Sequence, residues 1–244
     1  MQLQRFLLVL LLMAWGVFQS APADAGFGDF FKSVKKAVEG DEGLSESKTI
    51  DGLKEALRIG TGNAVETVSQ VGGYYDNAQI KIPLPDGIRK VETLVRAAGY
   101  GAQVDAFEMS MNRAAEQAAP EAKGIFWDAI KKMTFSDARG ILQGRENEAT
   151  LYFKDKTYTQ LSEVFQPIIH EAMSEVGVTR KYQELDEKIR TVPFASSFAF
   201  DLDEYVRSGA LEGLFFMLGE EERKIRQDPA ARVTDLLKET FGKR

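Results

Sequence analysis

Apolar residues recur at three- and four-residue spacing along most of the chain, and that period predicts helices. Ile50, Leu53, Leu57, Ala64, Val68 and Val71 mark one face of a long first helix. Gly60 and Gly62 fall inside it. Each is about 1 kcal/mol less favourable than Ala in a helix interior, so the pair predicts a kink, a close helix contact or a break. Further helices are predicted over 88–98, 102–119, 121–133 and 136–143, separated by Gly99, Gly101, Pro120 and the capping pattern Thr134-x-x-Asp137. A longer one follows over 148–176, with Pro167 predicted to kink it by removing a backbone donor, and a short polar one over 180–190. The stretch 202–218 is apolar around its whole circumference, the mark of a buried helix. Gly209 and Gly213, four apart on one face, predict the close approach of a neighbouring helix. A charged turn over 220–229 then leads to a last helix bearing Val233, Leu236, Leu237 and Phe241.

One segment breaks the helical period. In IKIPLP, at 80–85, Ile80, Ile82 and Leu84 alternate with Lys81, Pro83 and Pro85, and a residue that precedes proline avoids the α region. The alternation predicts an extended strap or edge strand crossing the helices. With no internal repeat and no low-complexity tract, the expected fold is all-α: a single compact multi-helix domain over 44–244 with one short extended IPLP strap.

The first residues follow a different logic. Arg5 precedes an apolar run of 13 residues over 6–18, and Ala23-Asp24-Ala25 places small residues at the −3 and −1 positions of a cleavage site. This predicts a secretory signal peptide over 1–25, cut after Ala25. The run falls short of the roughly 20 residues that span a bilayer. Residues 26–43 read as an amphipathic arm: Phe27, Phe30, Phe31, Val34 and Val38 share a face, with Lys32, Lys35 and Lys36 mostly elsewhere. Such a helix suits either an anionic membrane surface or partner, contacted by Phe27, Phe30, Phe31 and Lys35, or packing on the body of the domain.

Composition narrows the function classes. A formal charge of −6 argues against a nucleic-acid partner. The chain has no Cys and a single His, His170, which removes disulfides, thiol nucleophiles and nearly all zinc chemistry. No cofactor and no metal is expected. Export without Cys fits a bacterial periplasm.

The most suggestive polar residues lie in 102–119. Val104, Phe107, Met111, Ala115 and Ala118 share the buried face, while Asp105, Glu108, Asn112 and Glu116 form a stripe along its border. Carboxylates at a buried margin can orient a ligand by hydrogen bonds, or act as an acid and base pair because desolvation separates their pKa values. They can equally cap helices or pair with Arg113, Arg139 or Lys154. Asp137, three after Thr134, is read as a helix cap. His170 projects away from the apolar side of its helix, and Asp201 and Asp203 suit an acidic helix start. Phe194, Phe198, Phe200, Phe215 and Phe216 form either an apolar ligand cavity or a filled core. No catalytic set is identified.

Several stretches are collinear with one bacterial family. GLKEAL at 52–57, IKIPLP at 80–85, MNRAAE at 111–116, DA-x-x-IL-x-G at 137–144, AT-x-YF at 149–153, EYV at 204–206, AL-x-GLF at 210–215, EE-x-x-IR at 221–226 and the Phe241-Gly242 pair together resemble domain of unknown function family 4197. The resemblance implies an exported, mostly helical envelope protein and carries over no catalytic residues. The expected function is a non-enzymatic binding or interaction module of the envelope, taking an apolar small molecule, an envelope protein or a membrane surface. Two alternatives stay open. One is a carboxylate-dependent envelope hydrolase using Glu116 with Asp137 or Glu108, and the other is a structural scaffold or oligomer.

Overall fold

The computed structural model of the chain describes residues 46–175 and 201–227. The predicted signal peptide, the arm with Phe27, Phe30, Phe31 and Lys35, the polar helix over 180–190, Phe194, Phe198, Phe200 and the last helix lie outside them. Among the described residues the architecture is all-α, with no strand.

Helix α1 (Glu46–Ser69) runs unbroken through both glycines. Gly60 is a close contact: a Cβ there would stand 2.9 Å from Ile225 Cδ1, whereas one on Gly62 would meet nothing within 4 Å. Leu53, Leu57, Ala64 and Val68 are buried as their spacing predicts, but Val71 is 85% exposed, because the helix stops two residues before it. The chain then turns through Gly72, at φ 90°, into the strap.

Helix α2 (Asp86–Val95) passes through a π turn (Arg96–Tyr100) into α3 (Gly101–Ala118). A 3-10 turn at Ala119–Glu121, with Pro120 where its missing N–H costs nothing, leads to α4 (Ala122–Lys132). Thr134 and Asp137 form the capping box that opens α5 (Phe135–Gln143). Helix α6 (Glu148–Glu175) carries Pro167 inside an uninterrupted helical run, and α7 (Leu202–Gln227) completes the described chain.

The end of α7 corrects the sequence expectation. The segment over 220–227 is not a turn but the last two turns of this helix, and Glu221 and Glu222 are buried in it. The prediction that 202–218 is buried holds for Val206, Ala210, Leu211, Leu214, Phe215, Met217 and Leu218, while Phe216 and Glu212 face out. Helix α7 packs against α6, α1 and α3, α4 lies between α1 and α6, and α3 also rests on α6. Phe126, Phe153 and Phe215 meet edge to face at their junction, with centroids 5.2 Å and 6.1 Å apart. No helix among the described residues is long and apolar enough to cross a membrane.

Candidate functional site

The strap is buried, not peripheral, and it is irregular backbone rather than an edge strand. Ile80, Ile82 and Leu84 all point into the core. Gly209 and Gly213 make room for it: a Cβ on Gly213 would lie 2.6 Å from Tyr74 Cε1 and 3.1 Å from Ile80 Cβ, and one on Gly209 3.1 Å from Ile82 Cγ1. The close approach that this glycine pair predicts is therefore real, but the neighbour is the extended segment and not a helix.

Opposite the glycines, the stripe on α3 grips the same segment. A buried backbone without a sheet partner needs side chains to satisfy it. Asn112, fully buried, accepts from the Ile82 N–H at 2.8 Å and donates to the Ile82 carbonyl at 2.9 Å, and donates again to the Glu108 carbonyl at 2.9 Å. One turn on, Glu116 Oε1 accepts from the Tyr74 and Tyr75 N–H groups at 3.1 and 3.3 Å, while its Oε2 takes a hydrogen bond from Arg113. Glu108 pairs with Lys81 of the strap at 2.7 Å, and the Lys81 ammonium sits 4.2 Å from the Tyr75 ring centroid. Asp105 lies at the solvent end of the stripe, 2.7 Å from Arg96. From the other side Tyr74 donates to the Ala210 carbonyl at 2.6 Å and Tyr205 to the Pro83 carbonyl at 3.1 Å.

These contacts set the electrostatics. Its hydrogen bond to Arg96 holds Asp105 below the usual aspartate range, and the bond to Glu108 raises Lys81. Burial first, and the Glu116 charge second, push the Tyr74 phenol far above the ordinary tyrosine value. The structure thus brings Asp105, Glu108, Asn112 and Glu116 together as one seam, and each has a partner within the protein. Arg113 is among the cations that the spacing offers as a partner; Arg96, Lys81 and the strap backbone are not legible from it.

A second polar knot, centred on Glu222, is one that the sequence pattern misses. The first N–H groups of a helix have no partner inside it. In α6 those of Ala149 and Thr150 donate to Glu222 at 3.0 and 2.9 Å, and the Thr150 hydroxyl adds a bond at 2.7 Å. The carboxylate also lies at the positive end of the helix dipole. Arg226 balances it at 2.7 Å and donates on to the Ile141 carbonyl at 3.2 Å. Beside this knot Leu53, Leu57, Ile141, Ala149 and Ile225 line a cavity of about 20 Å³, room for one water. The available signal was the helical register of Glu222 with Leu218 and Leu214, obscured by the run of charges around it.

The other candidates fall in simpler places. Asp137 accepts from the Thr134 N–H and hydroxyl at 2.9 and 2.7 Å, and these bonds lower its pKa. Exposed His170 bonds Asp203 Oδ2 at 2.6 Å, and Asp201 accepts from the Glu204 N–H at 2.9 Å as a helix cap. Phe215 is buried against Phe126 and stacked on Tyr158. No group of three or more His, Asp or Glu residues among the described residues is placed to hold a metal ion.

The strap is the IKIPLP stretch, Asn112 and Glu116 of the seam fall in MNRAAE, Asp137 opens DA-x-x-IL-x-G, and the Glu222 knot joins EE-x-x-IR to AT-x-YF. No curated protein and no solved structure matches the chain. The family described as protein of unknown function (DUF4197) matches it over residues 43–242. That match takes in every described helix, and the chain belongs to that family.

Proposed function

We propose that the chain is a non-enzymatic binding or interaction module of the bacterial cell envelope, exported by cleavage after Ala25 and working in the periplasm. The observation that carries this reading is the engagement of the candidate carboxylates. Glu116 holds two backbone N–H groups and Arg113, and Asp137 holds Thr134. A hydrolytic pair needs two carboxyl groups facing one cleft, and Glu116, common to the pairings with Asp137 and with Glu108, is buried and already accepts from three donors. In the module reading the seam fixes the strap and the helices around it. Exposed Leu94, Met109, Tyr158 and Phe216 supply apolar contact area on the body. The arm with Phe27, Phe30, Phe31 and Lys35 supplies a second contact, to an apolar ligand, an envelope protein or a membrane surface.

Mass spectrometry of the mature protein purified from periplasm tests this directly, by comparing native spectra with an organic extract of the denatured sample. A stoichiometric small molecule, lipid or protein partner supports the module and names its ligand class. An empty homogeneous monomer that also captures nothing after crosslinking in cells defeats it.

A further inference from the structure

The cavity beside Glu222 joins four helices: Leu53 and Leu57 come from α1, Ile141 from α5, Ala149 from α6 and Ile225 from α7. Its lining is apolar apart from Glu222 and Arg226, and both are engaged, the carboxylate with the Ala149 and Thr150 N–H groups and the guanidinium with the Ile141 carbonyl. A buried water needs two to four polar partners. Hydrocarbon therefore suits this space better than water. Ile225 at its edge, and Ile50 one turn before Leu53, are only partly buried.

The chain leaves the described residues at this spot, since α7 stops at Gln227, directly after the lining residues Ile225 and Arg226. Its exit is fixed. Ile225 lies so close to α1 that a Cβ on Gly60 would stand 2.9 Å from its Cδ1, and Arg226 is tied to Glu222 and to the Ile141 carbonyl. Beyond the exit the sequence predicts a break in helical direction at Asp228-Pro229, and then a helix with Val233, Leu236, Leu237 and Phe241 on one face. The six steps from Gln227 to Val233 span at most about 20 Å, and residues 230–241 make about 18 Å of helix, so the apolar face begins within reach of the cavity. We propose that residues 230–241 dock by this face over the cavity, with a leucine of the Leu236-Leu237 pair reaching into it. The docked segment closes the start of α1 onto α5 and the end of α7. It leaves the arm with Phe27, Phe30 and Phe31 for the contacts described above.

Native-state hydrogen exchange on the full mature chain tests the docking peptide by peptide. Leu237→Asp puts a charge on the apolar face and is expected to speed exchange over 50–57 and 222–227 about tenfold, with 104–112 unchanged. Phe30→Asp is expected to leave all three stretches as they are. A photoreactive p-benzoylphenylalanine in place of Leu237 gives a second readout, and is expected to cross-link within its own chain to peptides from 46–57 or 135–149. If Phe30→Asp and not Leu237→Asp speeds exchange over 50–57, the arm covers the cavity and the proposal is overturned. Cross-links only to a second copy, or only to α2 and α3, overturn it as well, as does a Leu237→Asp variant whose exchange over 50–57 matches the wild type.

Discussion

Asn112 shows how much a single amide can decide. Its carbonyl oxygen and amino group meet the N–H and C=O of the same residue, Ile82, at a position closed to water. Asn112→Leu keeps the volume but removes both partners, and unsatisfied buried groups cost 1–3 kcal/mol each; urea unfolding is expected to show a loss of about 3 kcal/mol. Tyr74→Phe removes one hydroxyl and is expected to cost about 1 kcal/mol in the same assay. The tyrosine also sets an alkaline limit. Its folded pKa is raised above the unfolded value near 10, so its contribution is complete below about pH 10 and is lost as the pH rises beyond. The variant is therefore expected to shift alkaline unfolding, followed by circular dichroism, to higher pH. At this scale the sequence was readable where contacts are local. Thr134 and Asp137 are three residues apart and announce their cap, whereas the partners of Asn112 and Glu116 lie 30 and 42 residues away, and helical projection says only that both residues sit on a border.

At the scale of elements, the glycines separate by what stands opposite them. Gly62→Ala adds a methyl to open space inside a helix and is expected to stabilise the protein by about 1 kcal/mol. Gly213→Ala drives a methyl against the Tyr74 ring and Ile80 and is expected to destabilise it by about 2 kcal/mol. Thermal melts of the two variants, moving in opposite directions, check both. Spacing revealed that Gly209 and Gly213 leave room for a neighbour. It could not reveal that the neighbour is a strap, because a glycine face is equally open to either. The strap itself was legible from its prolines, but not its burial between α3 and α7. The charged end of α7 misled for a related reason: a run of Glu, Arg and Lys looks solvated until the orphan N–H groups of another helix are placed beside it. Glu222→Ala leaves those groups and the Arg226 charge uncompensated, with an expected loss of about 3 kcal/mol or more and faster hydrogen exchange at the start of α6.

For the whole molecule, acid is the revealing perturbant. Glu55, Asp105, Asp137 and Glu148 are each held below the ordinary carboxylate value by hydrogen bonds to Arg58, Arg96, Thr134 and Arg145. The unfolded chain therefore takes up protons first. Stability from these groups is complete above the ordinary range near pH 4 and is lost as the pH falls through their lowered values. Urea midpoints are expected to be level between about pH 5 and 8 and to fall below about pH 4, less steeply in Asp137→Asn. The all-α class was legible because the three- and four-residue period repeats in helix after helix. The arrangement of the helices was not, since it is fixed by a strap and a carboxylate that join distant parts of the chain.

The same long-range knot sets an order of events during synthesis. The carboxylate that completes the start of α6 is made 73 residues after the amide it caps, and the slots that receive Tyr74 and Ile80 belong to that same late helix. A nascent chain that has emerged from the ribosome as far as α6 therefore has its strap held from one side only, and a helix start still seeking an anion. It stays pliable until α7 has followed. For any polypeptide that has to be threaded through a channel before it folds, that delay is an advantage built into the position of one glutamate.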